Sequence, residues 1–177
     1  YWLRQPIVYI FFLVNALLVF GATVTNDITI GGGTGNVLKN APYVVQNYYA
    51  LFSLISLLMI TTFFNSAAAR DFSQKTSQIL FSTPLRKRDF LLARFTGALV
   101  ISVIPFLGVS AGILIGSIMP WMDAEQIGPV YWQAHINGVL VFIIPNLMFS
   151  GAIIFSISAI TRNTMLSFIG SMALLVS

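Results

Sequence analysis

Apolar residues run through this chain in long blocks separated by a few clusters of charge. Between Arg4 and Asp27 lie 22 uncharged residues, between Lys39 and Arg70 30, between Arg94 and Asp123 28, and between Glu125 and Arg162 36. A last 15 follow Arg162. A helix needs about 20 mostly apolar residues to cross a bilayer, so four blocks each hold a full span and the last holds a truncated one. Apolar positions within the blocks are continuous rather than alternating, which excludes barrel strands. Helices also pair every backbone amide internally where no water reaches. The pattern predicts an all-α membrane protein, a polytopic transmembrane helical bundle forming one domain over residues 1–177. Spans are expected at about 7–24, 43–68, 95–119, 136–160 and 164–177. A secretory signal peptide fits the first block poorly, because no small-residue cleavage pattern precedes Asp27.

Composition narrows the classes further. The chain is 57% hydrophobic and only 8% charged, against about 25% charged in soluble domains. Too few charges remain to cover a water-facing surface, which argues against a soluble enzyme, a disordered tail and a nucleic-acid binder. There are no cysteines, so disulfides and thiolate metal sites are absent. The chain opens at Tyr1 without an initiator Met and stops inside an apolar run, as a piece of a longer protein would.

The bases set an orientation. Arg4, Arg70, Lys75, Arg86, Lys87, Arg88, Arg94 and Arg162 fall on one side of the expected spans, and Lys39 alone on the other. Basic residues near span ends stay cytoplasmic, so the N-terminus is expected inside. The first and third connections, with Asp27, Lys39, Asp123 and Glu125, are then outside. Trp2 at the inner boundary and Trp121, Tyr131 and Trp132 at the outer one suit the headgroup level.

The segment 70–94 is the informative non-span. It carries six bases against Asp71 and Asp89. Phe72, Thr76, Ile79, Leu80 and Thr83 recur at helical spacing on one face, with Ser73, Gln74, Lys75, Ser77 and Gln78 on the remainder. A short helix of this kind beside a membrane lies along the interface. Pro84 is expected to end it, since proline lacks the N–H donor and disfavours helix in the residue before it. Arg86, Lys87, Arg88 and Arg94 then form a membrane-surface basic group. A plain positive-inside anchor and a docking element for a cytoplasmic partner both fit this segment.

At these residues the chain resembles the permease subunit of type-2 ATP-binding-cassette (ABC) exporters. The resemblance rests on the order of spans around an amphipathic cytoplasmic helix and on Thr76, Ile79-Leu80, Ser82-Thr83-Pro84-Leu85 and Asp89-Phe90-Leu91-Leu92-Ala93-Arg94. Gln78 stands where a glutamate is usual and Lys75 where a glycine is usual. The resemblance implies a coupling helix whose candidate ATPase-facing residues are Arg70, Asp71, Phe72, Thr76, Gln78, Ile79, Leu80 and Pro84. It also implies a separate cytoplasmic ABC ATPase, a second permease subunit as homo- or heterodimer, a sixth span beyond this chain, and the bacterial inner membrane as location. Some similar proteins carry a zinc aminopeptidase domain after their membrane region.

Other tempting residues read more plainly. Gly31-Gly32-Gly33-Thr34-Gly35 lacks the Lys-Ser/Thr ending of a phosphate loop and falls on the outer side, so it reads as an outer loop. Neither a nucleotide, a metal nor another cofactor is expected on this chain. His135, the single histidine, reads as interfacial and non-catalytic, and no Ser/His or paired-Asp arrangement is expected within the membrane. Gly108, Gly112 and Gly116 repeat every four residues and form a candidate helix-packing groove. Pro105 and Pro145 are expected to kink their spans. Asn15, Asn47, Asn65 and Asn146 are expected to bond between helices rather than to touch a substrate. No ionisable residue sits in mid-span, which argues against a proton-coupled carrier. Two readings stand beside the permease: a membrane anchor or assembly domain without transport, and a membrane-embedded enzyme.

Overall fold

The computed structural model describes residues 5–25, 37–73, 86–122, 124–161 and 169. Among them the regular structure is entirely helical. Helix α1 (Pro6–Val24) opens with proline in its first turn, where the missing N–H costs nothing. Helix α2 spans Pro42–Ser73 and α3 spans Lys87–Ser117. A 3-10 turn at Ala124–Gln126 follows, then α4 (Trp132–Asn137), a π-helical stretch Gly138–Ile143, and α5 (Ile144–Thr161).

Three helical stretches are long and apolar enough to cross a membrane: Pro6–Val24, Arg88–Ser117 and Trp132–Thr161. A fourth is reached if Pro42–Ile55 and Met59–Ala68 form one broken span. Of the five expected spans the first four fall on described residues, where three helices, or four with the broken pair, meet them; the fifth, 164–177, lies outside the described residues apart from residue 169. Helix α1 is apolar on both faces: Val8 and Val19 are buried, while Ile10, Leu13 and Leu17 are more than half exposed. An exposed row of that kind suits hydrocarbon rather than water.

The helices also overrun the expected spans. Helix α2 continues to Ser73, because Ala67-Ala68-Ala69-Arg70 are strong helix formers. Helix α3 starts at Lys87 rather than near 95, with Asp89 in its first turn, where a carboxylate complements the helix dipole. The two ends of the segment 70–94 thus continue the flanking helices. Its first four residues belong to α2 and residues 87–94 to α3, while 74–85 lie outside the described residues.

The chain divides into two compact units. Unit 1 comprises Tyr1–Leu54 and Val103–Pro145. Here Gly108, Gly112 and Gly116 face α1. A Cβ on Gly108 would strike the Phe12 carbonyl oxygen; on Gly112 it would come 2.5 Å from the Ala16 carbonyl oxygen, and on Gly116 2.9 Å from Thr23 Cγ2. The two backbones meet because no side chain stands between them, and dispersion then holds the pair. Asn15, 1% exposed, adds an interhelical bond by donating Nδ2 to the Pro105 carbonyl at 3.0 Å.

The connections at one end of unit 1 are joined as well. Asn40 donates Nδ2 to the Gly128 carbonyl and accepts the Gly128 N–H at Oδ1 (2.7 Å), so its amide pairs with a peptide group as a strand neighbour would. The Lys39 N–H donates to the Gln126 carbonyl at 2.9 Å.

Unit 2 comprises Ile55–Ser102 and Asn146–Ser177. Phe95 lies between Phe64 and Phe155, at ring-centroid distances of 5.2 and 5.6 Å. Gly151 allows Phe64 to lie against α5: a Cβ there would be 2.6 Å from Phe64 Cζ. The fully buried Ser158 donates Oγ to Asn65 Oδ1 at 2.6 Å. Asn146 accepts from Ser150 on its own helix at 3.1 Å.

The prolines act differently from one another. Helix α3 continues through Pro105 as a single helix. Ahead of Pro145 the chain widens into the π stretch, with the Ile144 N–H reaching the Val139 carbonyl. A proline ring collides with the carbonyl four residues earlier in α winding, and the wider turn moves that carbonyl aside.

Candidate functional site

Hydroxyls inside these helices mostly return to their own backbone. Thr23 donates to the Val19 carbonyl, Ser102 to Ala98 and Ser117 to Ile113, at 2.8, 2.7 and 2.8 Å. That is how an isolated hydroxyl is satisfied in apolar surroundings. Ser110 is different. Its Oγ lies 2.6 Å from the Tyr49 hydroxyl and 2.8 Å from His135 Nδ1.

Three helices of unit 1 each place one polar side chain in this junction: Tyr49 from α2, Ser110 from α3 and His135 from α4. Tyr49 is fully buried and His135 is 7% exposed. The Tyr49 ring rests on Gly138, where a Cβ would come 2.7 Å from Tyr49 Cγ. Trp132, one turn before His135, lies with its ring centroid 6.1 Å from the imidazole. The expectation of no Ser/His arrangement within the membrane is thereby corrected. Tyr49 and Ser110 were not singled out in the sequence at all. Their partners lie 61 and 25 positions apart, and only a mid-helix serine and the single histidine hint at them.

Chemically the junction is a hydrogen-bonded chain rather than half of a catalytic triad. In a triad the serine meets Nε2 while a carboxylate holds Nδ1–H; here the serine itself occupies Nδ1. Ser110 also sits inside α3, so its backbone N–H belongs to the helix ladder and is not offered to an oxyanion.

The basic segment is a second place of interest. Arg86 and Arg88 are exposed at the start of α3, and Lys87 is its first residue. Arg94 is half-buried. Its Nη1 donates to the Ala67 carbonyl of α2 at 3.0 Å, and its guanidinium lies 4.9 Å from the Phe90 ring centroid. It thus ties α2 to α3 within unit 2 rather than standing with the two exposed arginines. Arg70, Asp71 and Phe72 lie in the last turn of α2; Thr76, Gln78, Ile79, Leu80 and Pro84 are outside the described residues. Among the described residues no group of three His, Cys, Asp or Glu side chains could hold a metal ion. No family model, curated protein or solved structure matches the chain.

Proposed function

We propose that this chain is the membrane-spanning permease subunit of an ABC-type exporter of the bacterial inner membrane. Its N-terminus would be cytoplasmic, and a separate ATPase would dock on the segment between α2 and α3. The observation that carries the reading is where the resemblance falls. It covers the basic connection between two long apolar helices, and Arg94 fastens those helices to each other beside that connection. A push on the connection would then reach both helices together, which is what coupling to nucleotide-driven closure requires.

Under this reading two copies of the permease, or two related subunits, assemble with two ATPase subunits, and further helices follow Ser177. The test is purification of the full-length protein from its native membrane. An ABC ATPase is expected to accompany it in near-equal amount and to leave when the segment around Ile79 and Leu80 is replaced by a Gly/Ser stretch. Purification without any ATPase, across mild detergents and in nucleotide, would favour the anchor reading.

A further inference from the structure

The Tyr49–Ser110–His135 junction takes its direction from the tautomer of His135. Ser110 owns one hydrogen, and the Tyr49 ring is pinned against Gly138 with its hydroxyl on Ser110. With a neutral ring whose Nδ1 is bare, Tyr49 donates to Ser110 and Ser110 donates to His135. Both bonds of the junction are then made, and bonds aligned head to tail strengthen one another. An imidazolium has no acceptor, because both nitrogens carry hydrogen. On protonation Nδ1 becomes a donor, so Ser110 must turn its hydrogen away and the order of bonds through Ser110 and Tyr49 has to be rebuilt.

Among the described residues no carboxylate is bonded to the ring to balance a positive charge. The groups against it are Ser110 of α3, with Tyr49 of α2 behind, and Trp132 of its own helix. Neither Lys39 nor Glu125, the charged positions described on the two connections of unit 1, is hydrogen-bonded to these three groups. Tyr131, the remaining titratable neighbour in sequence, is half exposed. A buried charge without a partner is costly.

We infer that Tyr49, Ser110 and His135 form an acid-sensitive latch, which holds α2, α3 and α4 together while the ring is neutral and releases them when it takes up a proton. The stabilisation is present while the ring is neutral and is lost as acidification protonates it. Nothing in this device depends on the permease reading.

His135 is the single histidine, so nitrogen NMR of full-length protein labelled only at histidine reads the latch directly, provided the purification tag contains none. The expected neutral form carries its hydrogen on Nε2 and leaves Nδ1 bare. In detergent, the unfolding midpoint of the wild type is expected to shift downward on acidification more than that of His135→Asn. That variant keeps an acceptor near the Nδ1 position but cannot titrate. A neutral ring protonated on Nδ1 would overturn the latch. So would parallel acid dependence of the two proteins. If His135→Asn fails to fold, NMR decides alone, with a second sample labelled at tyrosine and serine: a ring that takes up its proton without any change in Ser110 and Tyr49 resonances overturns the proposal.

Discussion

Gly112→Leu is expected to separate α1 from α3 and to abolish the folded subunit in detergent. Even a bare Cβ at this position comes 2.5 Å from the Ala16 carbonyl oxygen and 3.0 Å from the Phe20 nitrogen. These are backbone atoms of a continuous helix, and they cannot swing aside as a side chain would. The cost should reach or pass the upper end of the roughly 1–3 kcal/mol usual for overpacking. A graded series sharpens the result. Alanine at Gly108, which also meets backbone, should be nearly as damaging. Gly116→Ala, which meets the Thr23 side chain, should be milder. Gly97→Ala meets nothing within 4 Å and should be tolerated. Ile115, 46% exposed, is a fair site for a neutral control, whereas Ile113 is buried at 1%. Thermal melting of the purified variants checks the order; equal tolerance at Gly112 and Gly97 would remove the groove from the account.

The second large effect concerns transport coupling. Ile79→Asp with Leu80→Asp is expected to abolish permease-dependent stimulation of the partner ATPase and to leave its basal hydrolysis unchanged. Burying each such side chain contributes about 1.5–3 kcal/mol. Losing both amounts to about a hundred-fold or more in the equilibrium of that contact, at about 1.4 kcal/mol per tenfold. Neutralising Arg86, Lys87 and Arg88 should act otherwise, weakening attachment to anionic lipid by about 1 kcal/mol per charge with stimulation largely retained. Reconstitution of the full-length proteins with hydrolysis measurements separates the two. Undiminished stimulation in the Asp pair would remove the coupling role.

The long helices were legible because uncharged blocks of this length have few other uses. Their ends were not, because hydropathy marks the apolar stretch, whereas the hydrogen-bond ladder continues wherever helix formers follow. Lys87–Arg94 is the case in point: its charges read as a loop, but Leu91, Leu92 and Ala93 are good helix formers. The glycine row was visible since its period equals the helix's own, but its partner helix was not. The Tyr49–Ser110–His135 junction was invisible for a different reason. Three separated helices contribute one residue each, and no periodicity along a chain states which way neighbouring helices are turned toward one another. Arg94 shows the same gap, since its charge suggested the membrane surface and its geometry gives it to the Ala67 carbonyl.

The π stretch before Pro145 changes how this chain can be altered by evolution. The buried positions Ala134, Gly138 and Ile143 step by four and then by five, so one residue there is surplus to ordinary winding. Losing a residue from an α-helix rotates everything beyond it by about 100°. Losing one between Gly138 and Ile143, with Pro145 replaced by a residue that keeps its N–H, would turn the wide turn into an ordinary one and leave Ile143 on its present side. Single-residue gaps among descendants of this protein should therefore gather at this point of the helix, while the stretches on either side keep their length.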